Sequence, residues 1–111
     1  MTTIDPLGAP YQAPTPEIGP VLTELFAVLE SRKAELPEDS YTAKLLLGPQ
    51  DKLLKKIGEE ASEVIIAARD RDKQQLQYEI GDLMYHLMVV MVREGLSLDD
   101  LAAELAGRRR K

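Results

Sequence analysis

The chain has 111 residues, 44% of them hydrophobic, and a formal net charge of −5. This is enough for one domain with a real core and too little for two ordinary ones, and the negative balance argues against nucleic acid as a partner. No cysteine is present, which excludes a disulfide framework, a thiolate metal site and a catalytic thiol, and leaves carboxylate oxygens and one imidazole for any metal.

In chain order, residues 1–19 form a proline-rich arm. Five of the seven prolines fall within the first twenty residues, which show no apolar period, so the arm is expected to order only by docking. Residues 20–111 form a single all-α domain. Val21, Leu22, Leu25, Phe26, Val28 and Leu29 recur at helical spacing and predict a first helix from Val21 to about Glu35, ended by Pro37. Glu38-Asp39-Ser40 offers capping groups for a short helix over 41–47, and Gly48-Pro49 separates it from a third helix over 50–69. The charged turn at 70–73 leads to a fourth helix over 74–93, stopped by Gly95. Ser97 with Asp100 resembles a capping box and opens a last helix to about Arg108, followed by the basic tail Arg108 to Lys111. No β-alternation is present, and the fold class is an all-α bundle of four to five helices. No amino-terminal signal is seen, and the longest apolar run, 83–92, is far below the roughly 18 residues that span a bilayer. The expectation is a soluble cytoplasmic protein with no membrane partner.

Charge is placed unusually on the two long helices. On a wheel centred at Ile57, the positions Leu53, Leu54, Ala61, Val64, Ile65 and Ala68 make a core-facing stripe, and Glu60 borders it. Centred at Leu83, the stripe of the fourth helix is Leu76, Ile80, Leu87 and Val90, and Glu79 falls inside the apolar arc with Asp82 and His86 on its flank. A carboxylate there must be protonated, meet a cation or bind metal. Lys56 with Glu60 is also an ordinary i,i+4 ion pair, and one Glu-x-x-Glu is a common accident of a charged helix. Two such motifs on consecutive helices are different. Glu60-x-x-Glu63 and Glu79-x-x-Asp82 can face one cleft if the helices are antiparallel, and four converging oxygen donors repel one another unless a hard cation sits among them. Mg²⁺ or Mn²⁺ is the natural occupant. His86 is read as a hydrogen-bonded core residue and not a ligand.

The fourth helix is apolar all round from Leu83 to Val92, with Tyr85, Met88, Val89 and Val92 opposite Leu83 and Leu87. One layer of helices cannot bury both sides, so a two-fold homodimer centred on this helix is expected.

SYTAKLL at 40–46, KIGEEASEV at 56–64, EIGDLMYHLMVVM at 79–91 and GLSLDDLAAEL at 95–105 together resemble the phosphoribosyl-ATP pyrophosphatases of histidine biosynthesis, a branch of the all-α MazG-like nucleotide pyrophosphohydrolases. Gly81 stands where a small residue such as alanine is common, and the arm is longer than the family core needs. The resemblance implies hydrolysis of phosphoribosyl-ATP to phosphoribosyl-AMP and pyrophosphate by metal-assisted attack of water. Glu60, Glu63, Glu79 and Asp82 would hold the metal, Glu59 or Glu60 would take the water's proton, and Lys56 would contact phosphate. Ser40, Tyr41, Thr42, Lys44 and Lys56 are the substrate-binding candidates, with helix capping as the competing reading for Ser40. Many members are fused to the cyclohydrolase that acts next; this chain has no room for it and is expected to catalyse one step. The competing readings are a house-cleaning nucleoside triphosphate pyrophosphohydrolase of the MazG-like group and a noncatalytic helical dimerisation module.

Overall fold

A computed structural model of the chain describes the backbone at Thr3–Ile4 and Pro10–Tyr11 and residues 16–108. The remainder of the expected arm and of the basic tail, Arg109 to Lys111, lies outside the described residues. Five helices carry the fold: α1 Ile18–Glu35, α2 Tyr41–Leu47, α3 Gln50–Arg69, α4 Lys73–Glu94 and α5 Leu98–Gly107. Within the arm, β1 Thr3–Ile4 pairs antiparallel with β2 Pro10–Tyr11, placing Thr3 opposite Tyr11. This short ladder leaves the class all-α.

The helix ends follow from local chemistry. α1 begins three residues before the expected Val21, because Pro20 sits in the first turn, where its missing N–H has no intrahelical partner to lose. The first backbone bond runs from Val21 N–H to the Glu17 carbonyl. Ser40 caps α2, its hydroxyl accepting from the Ala43 N–H at 3.1 Å, and the Asp72 carboxylate caps α4 by accepting from the Gln75 N–H at 3.0 Å. Gly95 ends α4 at φ 79°, a left-handed position that glycine takes without steric cost. The Ser97–Asp100 capping box at the start of α5 is complete in both directions.

α3 and α4 pack side by side as an antiparallel hairpin, and α1 and α2 lie across the C-terminal half of α4. The core is Phe26 and Leu29 of α1, Leu45 of α2, Leu53 of α3, and Met88, Val89 and Val92 of α4. Two cations tie the layers together: Lys33 Nζ donates to the Val92 carbonyl at 3.0 Å, and Arg93 donates to the Leu45 carbonyl at 2.7 Å. One expectation is met only in part. Of the stripes taken as core-facing, Leu53 is buried, but Leu54 and Ile65 in α3 and Ile80 and Leu87 in α4 are open to solvent, whereas the opposite face of α4, with Met88 and Val92, is buried against α1. A helical wheel locates apolar arcs but does not say which neighbour covers each.

Candidate active site

The antiparallel hairpin sets the two acidic motifs face to face. Glu60 meets Asp82 and Glu63 meets Glu79, each residue hydrogen-bonding or repelling its partner across the helix interface. Glu60 and Glu79 are buried, at 7% and 5% exposure, whereas Asp82 is partly buried and Glu63 and Glu59 are exposed. Burial first, and then the hydrogen bond and charge of Asp82, push the Glu60 carboxyl above its ordinary value; His86 and Lys56 oppose the shift. Glu63 is pushed up by its hydrogen bond to Glu79, by the Glu79 charge and by the neighbouring Glu59. Lys56 Nζ lies 3.9 Å from Glu60 Oε1, at the outer limit of an ion pair. Glu79 accepts a hydrogen bond from the Gln75 side chain at 3.2 Å, a neutral partner one helical turn earlier.

Oxygens of Glu60 and Asp82 and a ring nitrogen of His86 lie within 4.8 Å of one another, a grouping with room for a metal ion. The carboxylates suit a hard cation. The imidazole is committed elsewhere. His86 is 3% exposed, its Nδ1 is 2.8 Å from the Asp82 carbonyl oxygen, and its Nε2 is 3.0 Å from the Tyr41 hydroxyl.

The residues of α2 divide. Thr42 is buried and its hydroxyl bonds to the Tyr85 hydroxyl. Ser40 spends its acceptor on the cap, while Lys44 and Tyr41 are exposed. Tyr41 stacks on Tyr85 with ring centroids 6.4 Å apart. Burial pushes the Tyr41 hydroxyl up, with Lys56 opposing and the charges of Asp82 and Glu60 adding to the rise, so the group keeps its proton. Sequence reasoning missed Tyr85 and Gln75. Gln75 has a legible signal, four residues before Glu79 on one helix face, but the bond of Tyr85 to Thr42 depends on how α2 lies over α4 and has none. An open groove of about 650 Å³, lined by Gln74, Gln77, Tyr78 and Gly81, runs along α4 and ends at Asp82.

Residues 22–109 match the family described as phosphoribosyl-ATP pyrophosphohydrolase. A phosphoribosyl-ATP pyrophosphatase of Haloarcula marismortui is 50% identical over 95 residues, covering 84% of this chain and 97% of its own length. One from Leptospira biflexa is 53% identical over 87 residues, covering 78% of this chain and 95% of its own. The histidine biosynthesis bifunctional protein HisIE of Bacillus subtilis is 49% identical over 88 residues, which cover 79% of this chain but 42% of that longer protein. With the family pattern matched from α1 through α5 and both acidic motifs paired across α3 and α4, the chain belongs to the phosphoribosyl-ATP pyrophosphohydrolase family.

Proposed function

We propose that this chain hydrolyses phosphoribosyl-ATP to phosphoribosyl-AMP and pyrophosphate, the second step of histidine biosynthesis, with Mg²⁺ as the working cation. The observation that carries the reading is the burial of Glu60 against Asp82, with Lys56 no nearer than 3.9 Å. Such a pair is poorly placed for stability and well placed to receive an ion. Glu60, Glu63, Glu79 and Asp82 would hold Mg²⁺, which when bound supplies charge neutralisation for the triphosphate and lowers the pKa of water. Mn²⁺ fits the same oxygen donors.

The protein's own groups do the rest. Glu60, whose carboxylate burial makes a stronger base than an exposed one, and the exposed Glu59 are the two candidates to take a proton from the attacking water. Lys56, half-buried beside Glu60, is placed to meet phosphate charge. Tyr41 and Lys44 remain open to substrate on α2, whereas Thr42 is turned to Tyr85 and is read as a support.

The same reading makes the enzyme a homodimer of the cytoplasm, where its nucleotide substrate is found. Exposed Leu54 and Ile65 of α3, Ile80 and Leu87 of α4, and Leu101 and Leu105 of α5 are the apolar side chains that a second copy would cover. Among the described residues no helix is long and apolar enough to cross a membrane.

The deciding experiment incubates purified protein and Mg²⁺ with phosphoribosyl-ATP and with a panel of nucleoside triphosphates, following pyrophosphate release. Turnover confined to phosphoribosyl-ATP is expected. Equal turnover of ordinary triphosphates would favour the house-cleaning activity, and turnover of none would favour a noncatalytic module.

A further inference from the structure

We infer that Tyr85 is a positioning residue for the substrate face of α2, acting through Thr42. α2 is seven residues long, and its two faces differ. Thr42 and Leu45, three apart, point into the protein and are buried. Tyr41 and Lys44, also three apart, stand one residue earlier on the helix, rotated by about 100°, and are open to substrate. Tyr41 is beside the carboxylate cluster, because its hydroxyl is 3.0 Å from His86 Nε2 and that ring is 2.8 Å from the Asp82 carbonyl oxygen. The direction of Tyr41 and Lys44 is therefore set by how far α2 is rolled about its own axis.

Most of what holds α2 does not fix that roll. Leu45 is in the core, but apolar burial has no preferred direction. Arg93 holds the Leu45 carbonyl at 2.7 Å, through a long side chain and toward the far end of the helix. The Tyr41 hydroxyl reaches His86 from the tip of a long, exposed side chain, which can turn without the helix. Thr42 is different. Its β-branched side chain turns only about χ1, and its hydroxyl is bonded to the Tyr85 hydroxyl, so the bond fixes the backbone that carries it. Tyr85 is partly buried against the core, and its ring stacks on that of Tyr41 at an interplanar angle of 17°. One α4 side chain thus meets both faces of α2 in its first turn. This inference rests on the reading of Tyr41 and Lys44 as substrate contacts, because only then does the roll of α2 matter to the reaction.

Tyr85→Phe keeps the stack and removes the hydroxyl. It is expected to raise KM for phosphoribosyl-ATP about tenfold, the worth of one net hydrogen bond, with kcat within about threefold of the wild type. Calorimetric titration should show Mg²⁺ affinity unchanged, because Glu60, Glu63, Glu79 and Asp82 all lie on α3 and α4. Thr42→Val should raise KM equally, and the double variant should be no worse than either single one, since both remove the same bond. Thr42→Ser, which keeps a hydroxyl, should stay close to the wild-type KM. Hydrogen exchange reads the same bond without substrate or metal. In Tyr85→Phe the amides of Lys44 and Leu45 should exchange about tenfold faster, while those of the α3–α4 hairpin keep their protection. An unchanged KM in Tyr85→Phe, or effects of the two single variants that multiply, overturns the inference. So does a loss of Mg²⁺ affinity or of protection across the hairpin, which would make Tyr85 a plain structural residue. If the wild type turns over no phosphoribosyl-ATP, the proposed function falls separately; faster exchange confined to α2 then upholds the hold of Tyr85 on that helix, and unchanged exchange overturns it. Should Tyr85→Phe fail to fold, Thr42→Val against Thr42→Ser carries the same test.

Discussion

Glu79 is buried on α4 with a neutral amide as its hydrogen-bond partner, and Glu60 is buried against another acid. Replacing either with Gln preserves shape and helix propensity while removing one charge from a self-repelling cluster. Metal-free Glu60→Gln and Glu79→Gln are therefore expected to melt at the same temperature as the wild type or higher, and to lose hydrolysis. Mg²⁺ should raise the Tm of the wild type by binding linkage and that of the variants by less. Were these residues ordinary ion-pair partners, Gln would instead cost about 0–1 kcal/mol and leave activity intact. A pH series gives a second measurement with its own sign. Glu60 and Glu63 hold protons more tightly in the folded chain than their ordinary value of 4.5. The folded state then binds more protons than the unfolded one, so stability falls as pH rises from that value toward neutrality. Melts of the metal-free protein should show this decline, the Glu60→Gln variant a shallower one, and saturating Mg²⁺ should suppress it.

At the scale of elements, the termini were legible and the partners were not. Pro49, Asp72, Gly95 and Ser97 act on their own backbone, so the bounds of α3, α4 and α5 can be read within a residue or two. Gly95 is the clearest case: with φ 79°, Gly95→Ala should cost about 1 kcal/mol, measurable as a lower midpoint in urea with an unchanged slope. The acidic motifs were legible for a similar reason, since a three-residue spacing places both carboxylates of a motif on one flank. Which side of α4 faces α1 was not, because Met88 and Val92 on one side and Ile80 and Leu87 on the other are equally apolar. The bond between Tyr41 and His86 joins residues 45 apart and exists only through the crossing of α2 over α4, which no local pattern encodes.

For the whole molecule, isoleucines and leucines of α3, α4 and α5 lie exposed on the single chain. α5 has no fully buried residue and keeps Leu101 and Leu105 in solvent. A second copy covering the face of Ile80 and Leu87 would resolve both facts. Sedimentation equilibrium at micromolar concentration is expected to give twice the 12.4 kDa mass of one chain. Leu87→Glu should shift it to the monomer with loss of helix stability, because it puts a charge into the proposed seam. Monomer in the wild type with full helix content would sink the dimer.

The turn between α3 and α4 has a metrical role. Glu60 and Asp82 stand equally far on either side of Arg71, and so do Glu63 and Glu79. The hairpin works as a ruler folded at its midpoint, and the marks that must coincide are the carboxylates. One residue inserted between Asp70 and Lys73 would leave each helix able to form, yet it would offset one edge of the ruler by one residue, about 100° of rotation. Far-ultraviolet circular dichroism should then be nearly unchanged while the thermal response to Mg²⁺ disappears. Loops usually absorb changes of length at little cost. This one should tolerate Arg71→Gly, which suits its left-handed φ of 59°, and resist changes of number, as a spacer does when it sets the alignment of parts that it never touches.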